Sequence, residues 1–250
     1  MNVPEILAEH MLDERLGTVA LGGLHLPVTV HSLTLAAVSV FLLAAGIFLS
    51  RTRRPLLRTL AEEYVSFIRD GLVIPNMGQE GRTMLPYFCT LFAFILCTNL
   101  AGMIPHMKTA TSNISVTAAL ALCSGGLILY SGLKYHGVIG FLKGFVPSGT
   151  PAWLVPLIFP LEVLSTVIKV CVLAIRLFAN MLSGHMVLLC LLLIIFIIGK
   201  MQIAFGFVSL VPAMALEIFM TCLELLVAFL QAYVFTLLTA IFAGSVIHTH

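Results

Sequence analysis

Charge is what this chain of 250 residues has least of: 10% of its residues are Asp, Glu, Lys or Arg, against 60% hydrophobic. A water-soluble domain carries about 25% charged residues, so a soluble fold is excluded and an integral membrane protein is expected. The formal net charge of +2 is too small to argue for nucleic acid or an acidic partner. No two of the six cysteines (Cys89, Cys97, Cys123, Cys171, Cys190, Cys222) form a CxxC, which excludes a zinc module and a disulfide-rich secreted domain. All six lie in apolar runs and are expected to act as small buried hydrophobes. There is no GxxxxGK loop to cradle a phosphate and no HExxH pair to hold a metal, so no nucleotide, metal or other cofactor is expected.

What is present is a series of long apolar runs. A membrane helix needs about 20 such residues to cross a hydrocarbon layer roughly 30 Å thick. The first run is His31–Ser50. Acidic residues (Glu5, Glu9, Asp13, Glu14) precede it and the basic cluster Arg51, Arg53, Arg54, Arg58 follows, the reverse of a signal peptide. Further runs cover about Met84–Ile104 and Ile114–Leu133, and two much longer ones about Pro151–Gly199 and Ile203–Gly244. The organisation expected is an outer N-terminal segment (1–30), a first span (31–50), a cytoplasmic amphipathic helix (55–72), second and third spans (84–133) and a helical hairpin (151–244). The fold class is an all-α integral membrane protein with five or six membrane helices, including a long tilted hairpin at the C-terminal end.

Basic residues stay on the cytoplasmic side. With the N-terminus outside, Arg51, Arg53, Arg54, Arg58, Arg69, Arg82, Lys134 and Lys143 fall inside, while Arg15, Lys108 and Lys200 fall outside. The opposite orientation would invert this bias. In Pro55–Gly71, Leu57, Leu60, Tyr64, Phe67 and Gly71 recur at helical spacing, with Arg58, Glu62, Glu63 and Arg69 elsewhere on the wheel. Such a helix either lies on the membrane surface or docks a partner subunit, and the pattern fits both. Pro86, Pro105 and Pro160 read as helix-end or kink residues.

The first of the two longest runs would extend about 73 Å as one helix, far beyond the bilayer. It has no polar loop in its middle, so a single tilted helix is expected rather than two spans. Both long runs carry charges that the hydrocarbon disfavours by about 3 to over 10 kcal/mol each. Glu162, Lys169, Arg176, Asn180 and Ser183 fall within about 60° on one helix wheel, and Glu217, Thr221, Glu224 and Gln231 within about 80° on the next. Polar stripes of this kind either glue helices together or line an ion path. An arginine, which cannot be deprotonated, favours the path. An antiparallel hairpin pairs residues whose numbers have a constant sum. Arg176 with Gln231 sums to 407 and His185 with Glu224 to 409. Half of either lies near the one polar interruption, Gly199-Lys200-Met201-Gln202. The register would set an imidazole near a carboxylate, a pair able to relay protons.

At these residues a resemblance emerges. The stretch 174–185 (Ala-Ile-Arg-Leu-Phe-Ala-Asn-Met-Leu-Ser-Gly-His) and the stretch 223–235 (Leu-Glu-Leu-Leu-Val-Ala-Phe-Leu-Gln-Ala-Tyr-Val-Phe) closely resemble subunit a of the F-type ATP synthase membrane sector. Asn99–Pro105 and Thr111–Thr117 are similar to two further signature stretches of that family. The resemblance runs from about Met84 to Thr239. It implies a non-catalytic channel subunit whose tilted hairpin lies against a ring of c subunits, with b subunits of the peripheral stalk as further partners, membrane lipid around it and the F1 sector engaged indirectly. It also implies that protons pass through two half-channels kept apart by the arginine matching Arg176. The outer half-channel is associated with positions matching His185, Glu217, Glu224 and Asn180, and Gln231 matches a residue that packs opposite the arginine. Some bacterial relatives carry the carboxylate and the histidine of the relay pair in exchanged positions. Lys169 is less expected on a ring-facing side, and is read as a helix-end or loop-facing residue reaching the interface. A bacterial inner (plasma) membrane is the expected location, with a mitochondrial inner membrane as the alternative. The rival function is a secondary ion-coupled transporter, which would predict internal repeats that are not found.

Overall fold

A computed structural model describes residues 15–21, 24–52, 54–103, 113–144, 151, 153–201 and 203–247. The order is a β-hairpin (β1, Arg15–Leu21; β2, Leu24–Thr29) followed by helices α1 (Val30–Arg51), α2 (Pro55–Ile68), α3 (Leu85–Gly102), α4 (Ile114–Gly144), α5 (Val155–Met201) and α6 (Ile203–Ile247). Within the described residues, five helical stretches are long and apolar enough to cross a membrane. They are Ser32–Arg51, the stretch Pro55–Gly102 that ends in α3, Ile114–Val138, Val155–Gly184 and Met214–Ile247. The membrane-crossing body is therefore all-α. The antiparallel hairpin, in which Leu21 faces Leu24, is an addition that the sequence reading did not contain.

Local chemistry explains most boundaries. Arg54 is extended and Pro55 occupies the first turn of α2, where its missing N–H and fixed φ suit a helix start. Between α2 and α3 the chain makes a π turn (Arg69–Val73), a short α turn (Ile74–Met77) and a 3-10 turn (Gly78–Met84), then restarts as α3 with Pro86 in its first turn. Inside α4, Gly137 has φ +66°, so this helix is two pieces joined at a kink. The 47-residue α5 is one unbroken helix with Pro160 near its start. Pro105, His106, Lys108, His248 and His250 lie outside the described residues, as do Arg53, Gln202 and the first fourteen residues.

The core gathers where the basic ends of the helices meet. Ile68, Leu72, Val73 and Met77 pack with Phe88, Phe92 and Ile95 of α3, Leu173 and Leu177 of α5, and Phe235 of α6. Specific contacts tie the same end together. The Tyr64 hydroxyl donates to the Cys89 carbonyl at 2.6 Å, the Tyr135 hydroxyl donates to the Glu80 carbonyl at 3.2 Å, and the His136 ring lies 2.9 Å from the Ile247 carbonyl. Helix α6 is the spine. Its inward face carries Ala228, Ala232, Thr236, Thr239, Ala240 and Ala243, all buried. Small residues let membrane helices approach closely, and this matters because lipid supplies no hydrophobic drive for helix association. At Gly244 the approach is extreme, since a Cβ there would collide with the backbone carbonyl of Asn76.

The outward faces are apolar. Val40, Phe41 and Leu43 of α1 and Ile218, Phe219 and Leu226 of α6 are all more than half exposed, as expected of surfaces that meet lipid. The same inversion corrects the expectation for the cysteines. Cys89 and Cys97 are half-buried, but Cys123, Cys171, Cys190 and Cys222 sit on the exposed surface. Apolar character in a membrane protein does not require burial in protein.

Candidate functional site: the polar face of the helical hairpin

Helices α5 and α6 run antiparallel. The packing face of α5 is Leu173, Ala174, Leu177 and Met181, buried at helical spacing, and Gly184 extends it by one turn. A Cβ on Gly184 would stand 3.2 Å from Glu224 Oε1 and 3.7 Å from its Cδ. Nearer the basic end, Lys169 Nζ lies 5.6 Å from the centre of the Phe242 ring. These pairs sum to 408 and 411, against 407 and 409 from the sequence register. Lys169 thus packs against α6, rather than at a helix end or loop, in a cation–π contact.

On α6, Glu224 (8% exposed) and Gln231 (6% exposed) share the buried face with Ala228, Ala232 and Phe235. Gln231 Nε2 is buried and has no hydrogen-bond partner among the described residues. Buried amides are nearly always satisfied, so this one stands out. Glu217 behaves differently. It is exposed, beside a depression of about 310 Å³ lined also by Met214, Ile218, Thr221 and Cys222. Glu217 shares the helical face of buried Phe235, eighteen residues or five turns away, so its exposure comes from its place toward the start of α6 rather than from its face.

The α5 stripe lies on the flank of the packing face. Arg176 and Ser183 are exposed, while Glu162, Lys169 and Asn180 are half-buried. The Ser183 hydroxyl donates to the Asn180 carbonyl at 2.9 Å, and the Thr221 hydroxyl to the Glu217 carbonyl at 2.9 Å. Both hydroxyls are thus held by their own helices. The backbone of His185 belongs to α5, but its side chain lies outside the described residues, as does that of Lys200. One contributor was noted from sequence only as the start of a signature stretch, with no role at the site. Asn99 of α3 is fully buried and its Nδ2 donates to the Ala228 carbonyl at 3.4 Å, between the levels of Glu224 and Gln231. Its signal was an amide in the middle of an apolar run.

Five spans and a helical hairpin with ionisable side chains on its packed and exposed faces define a multi-span helical membrane protein of the ion-handling kind. The family described as ATP synthase A chain matches residues 28–244. Similar proteins include ATP synthase subunit a of Acidiphilium cryptum, 41% identical over 76% of this chain and 75% of that one. The subunit a of Myxococcus xanthus is 40% identical over 89% and 74% of the two chains, and that of a Chelativorans species 39% identical over 92% of each. The chain belongs to the ATP synthase A chain family. A place in the membrane sector of an ATP synthase follows from that membership.

Proposed function

We propose that the chain is the proton-translocating stator subunit of an F-type ATP synthase, forming two half-channels beside a ring of c subunits with Arg176 between them. The carrying observation is the division of labour on the hairpin: Glu224 and Gln231 are buried, while Arg176 is exposed on the adjoining flank. A fixed guanidinium there attracts a ring carboxylate and favours its ionised form, so that it releases its proton. The same charge repels a proton attempting to cross directly. Glu217, beside the surface depression, stands at the outer entry. Glu224 lies about 10 Å further along α6 at 1.5 Å per residue, with His185 as its relay partner, and Asn180 and Gln231 complete the polar lining. Rotation of the ring would drive ATP synthesis in the soluble sector, so the subunit itself performs no bond chemistry.

Partners follow from this reading: the c-ring against the hairpin, b subunits of the stalk, F1 indirectly, and lipid elsewhere. The relatives named above are bacterial, which favours a bacterial inner membrane with the basic helix ends in the cytoplasm. Inverted vesicles containing the assembled complex test the core of the proposal. With Arg176→Ala, ATP-driven acidification should vanish while ATP hydrolysis continues. Normal pumping by that variant would sink it.

A further inference from the structure

The β-hairpin is the one part of the fold that the helical site leaves without a role. Its register sorts its residues cleanly. Gly17 pairs with Val28, Val19 with Leu26 and Leu21 with Leu24, and cross-strand partners stand on the same face of a ladder. One face therefore holds Gly17, Val19, Leu21, Leu24, Leu26 and Val28, with no polar residue among them. The other face pairs Ala20 with His25, Thr18 with Pro27 and, across a bulge, Arg15 with Thr29. A two-stranded hairpin with nothing against its apolar face is at best marginally stable in water. Among the described elements, only the start of α1 packs appreciably against it. The apolar face needs a cover that the helical bundle does not supply.

Position and composition say what that cover is. Strand β2 ends at Thr29 and α1 begins at Val30, with no residue between them, and the apolar span within α1 starts at Ser32. At 1.5 Å per residue Thr29 stands about 4.5 Å from the span. That is inside the headgroup layer, which adds about 5–7 Å on each side of the hydrocarbon. Helix α1 already meets lipid there, since Leu33 in its first turns is more than half exposed, so the hairpin adjoins a lipid-facing surface. Protein interfaces gather aromatic residues, Met and Arg at their centres. This face is Val and Leu around one Gly, which suits acyl chains better than a protein partner. An open strand edge cannot enter hydrocarbon, because its N–H and C=O groups would go unsatisfied. The hairpin must therefore lie flat at headgroup level, where water reaches both edges.

We propose that β1–β2 is a membrane-surface anchor: the face of Val19, Leu21, Leu24, Leu26 and Val28 rests on the acyl boundary of the leaflet where α1 begins, and the face of Thr18, His25 and Thr29 is turned to water. The anchor is independent of what the α5–α6 hairpin does.

Photo-crosslinking in the assembled complex tests this, in vesicles of phosphatidylethanolamine and phosphatidylglycerol. A benzoylphenylalanine replaces Leu26 or, separately, His25, and the intact mass of the irradiated chain reads what was captured. Position 26 should gain the mass of a phospholipid about fivefold more often than position 25, because only the apolar face reaches the acyl boundary. Positions 24 and 18 form a second pair of opposite faces and should give the same contrast if either first variant fails to assemble. Equal lipid capture by the two faces would overturn the proposal. So would the absence of a lipid adduct from positions 24 and 26, or their capture of another subunit or of residues 1–14.

Discussion

Gly184 and Glu224 touch across the hairpin: the space a side chain would take at position 184 is bordered by the Glu224 carboxylate. This contact fixes the register of α5 on α6, and it makes room for a carboxylate inside an apolar interface. A Cβ at 3.2 Å from Oε1 requires the carboxylate to yield by a few tenths of an ångström. Gly184→Ala should therefore slow passive proton conduction through F1-stripped vesicles, and Gly184→Val should nearly stop it. Overpacking of this kind costs about 1–3 kcal/mol, which a complex of this size should survive. Conduction by Gly184→Val at the wild-type rate would show that the carboxylate's position is immaterial.

Arg176 should not tolerate even the conservative exchange. A guanidinium stays charged at any accessible pH, whereas an ammonium is a compact point charge that can lose its proton when desolvated. Arg176→Lys is expected to pump at a small fraction of the wild-type rate, measured by dye quenching in inverted vesicles, and to recover little as pH is lowered from 8 to 6. Pumping near the wild-type level would mean that any cation suffices.

The relay pair is tested by exchange. Gly184 meets Glu224 and His185 is the next residue, so the proposed pair sits one position from an observed contact. His185→Glu and Glu224→His should each slow conduction strongly. The double exchange should recover part of the loss, because coupled residues show interaction energies of roughly 0.5–3 kcal/mol in a double-mutant cycle. Strictly additive losses would mean that the two side chains act separately.

Much of this hairpin was legible because of its composition. Against an apolar background, Arg176, Glu224 and Gln231 are conspicuous, and the constant sum of an antiparallel pair turns their numbers into a register. The β-hairpin went unread although its signal was present: Val19 and Leu21, then Gly22-Gly23, then Leu24, Leu26 and Val28 alternate about a two-residue turn sequence. Attention to helical periods passes over a period of two. The tight turns at 69–84 had no comparable signal, since their form depends on Phe88, Phe235 and Gly244, distant in sequence and adjacent only after folding. Asn99 stood at the head of a signature stretch, but its partner is a backbone carbonyl, and backbone atoms leave no mark in a sequence.

Gln231 separates function from stability. An unsatisfied buried amide costs about 1–3 kcal/mol, and among the described residues Nε2 of Gln231 has no partner. If the residue served packing alone, Gln231→Leu would be harmless to every property. The expectation here is a split result: thermal stability of the complex unchanged or raised, with ATP-driven pumping reduced severalfold. Loss of assembly together with pumping would instead assign Gln231 a structural bond.

Gly244 is the position where stability alone should respond. Its would-be Cβ meets the Asn76 carbonyl and, at 3.5 Å, the Met77 Cα. Both are backbone atoms in a turn held by neighbours: Asn76 Nδ2 donates to the Leu72 carbonyl at 2.7 Å, and Leu72 and Met77 are fully buried. No rotamer change can relieve the clash, so α6 must move away from the turn and loosen the core at the basic end. Gly244→Ala should lower the midpoint of thermal unfolding of the complex or prevent assembly. The comparison is Gly126→Ala on α4, where nothing lies within 4 Å of the added carbon. That change should be neutral or slightly stabilising, because alanine is favoured over glycine in a helix by about 1 kcal/mol. Equal midpoints for the two alanine variants would mean that the approach of α6 to Asn76 does not limit stability.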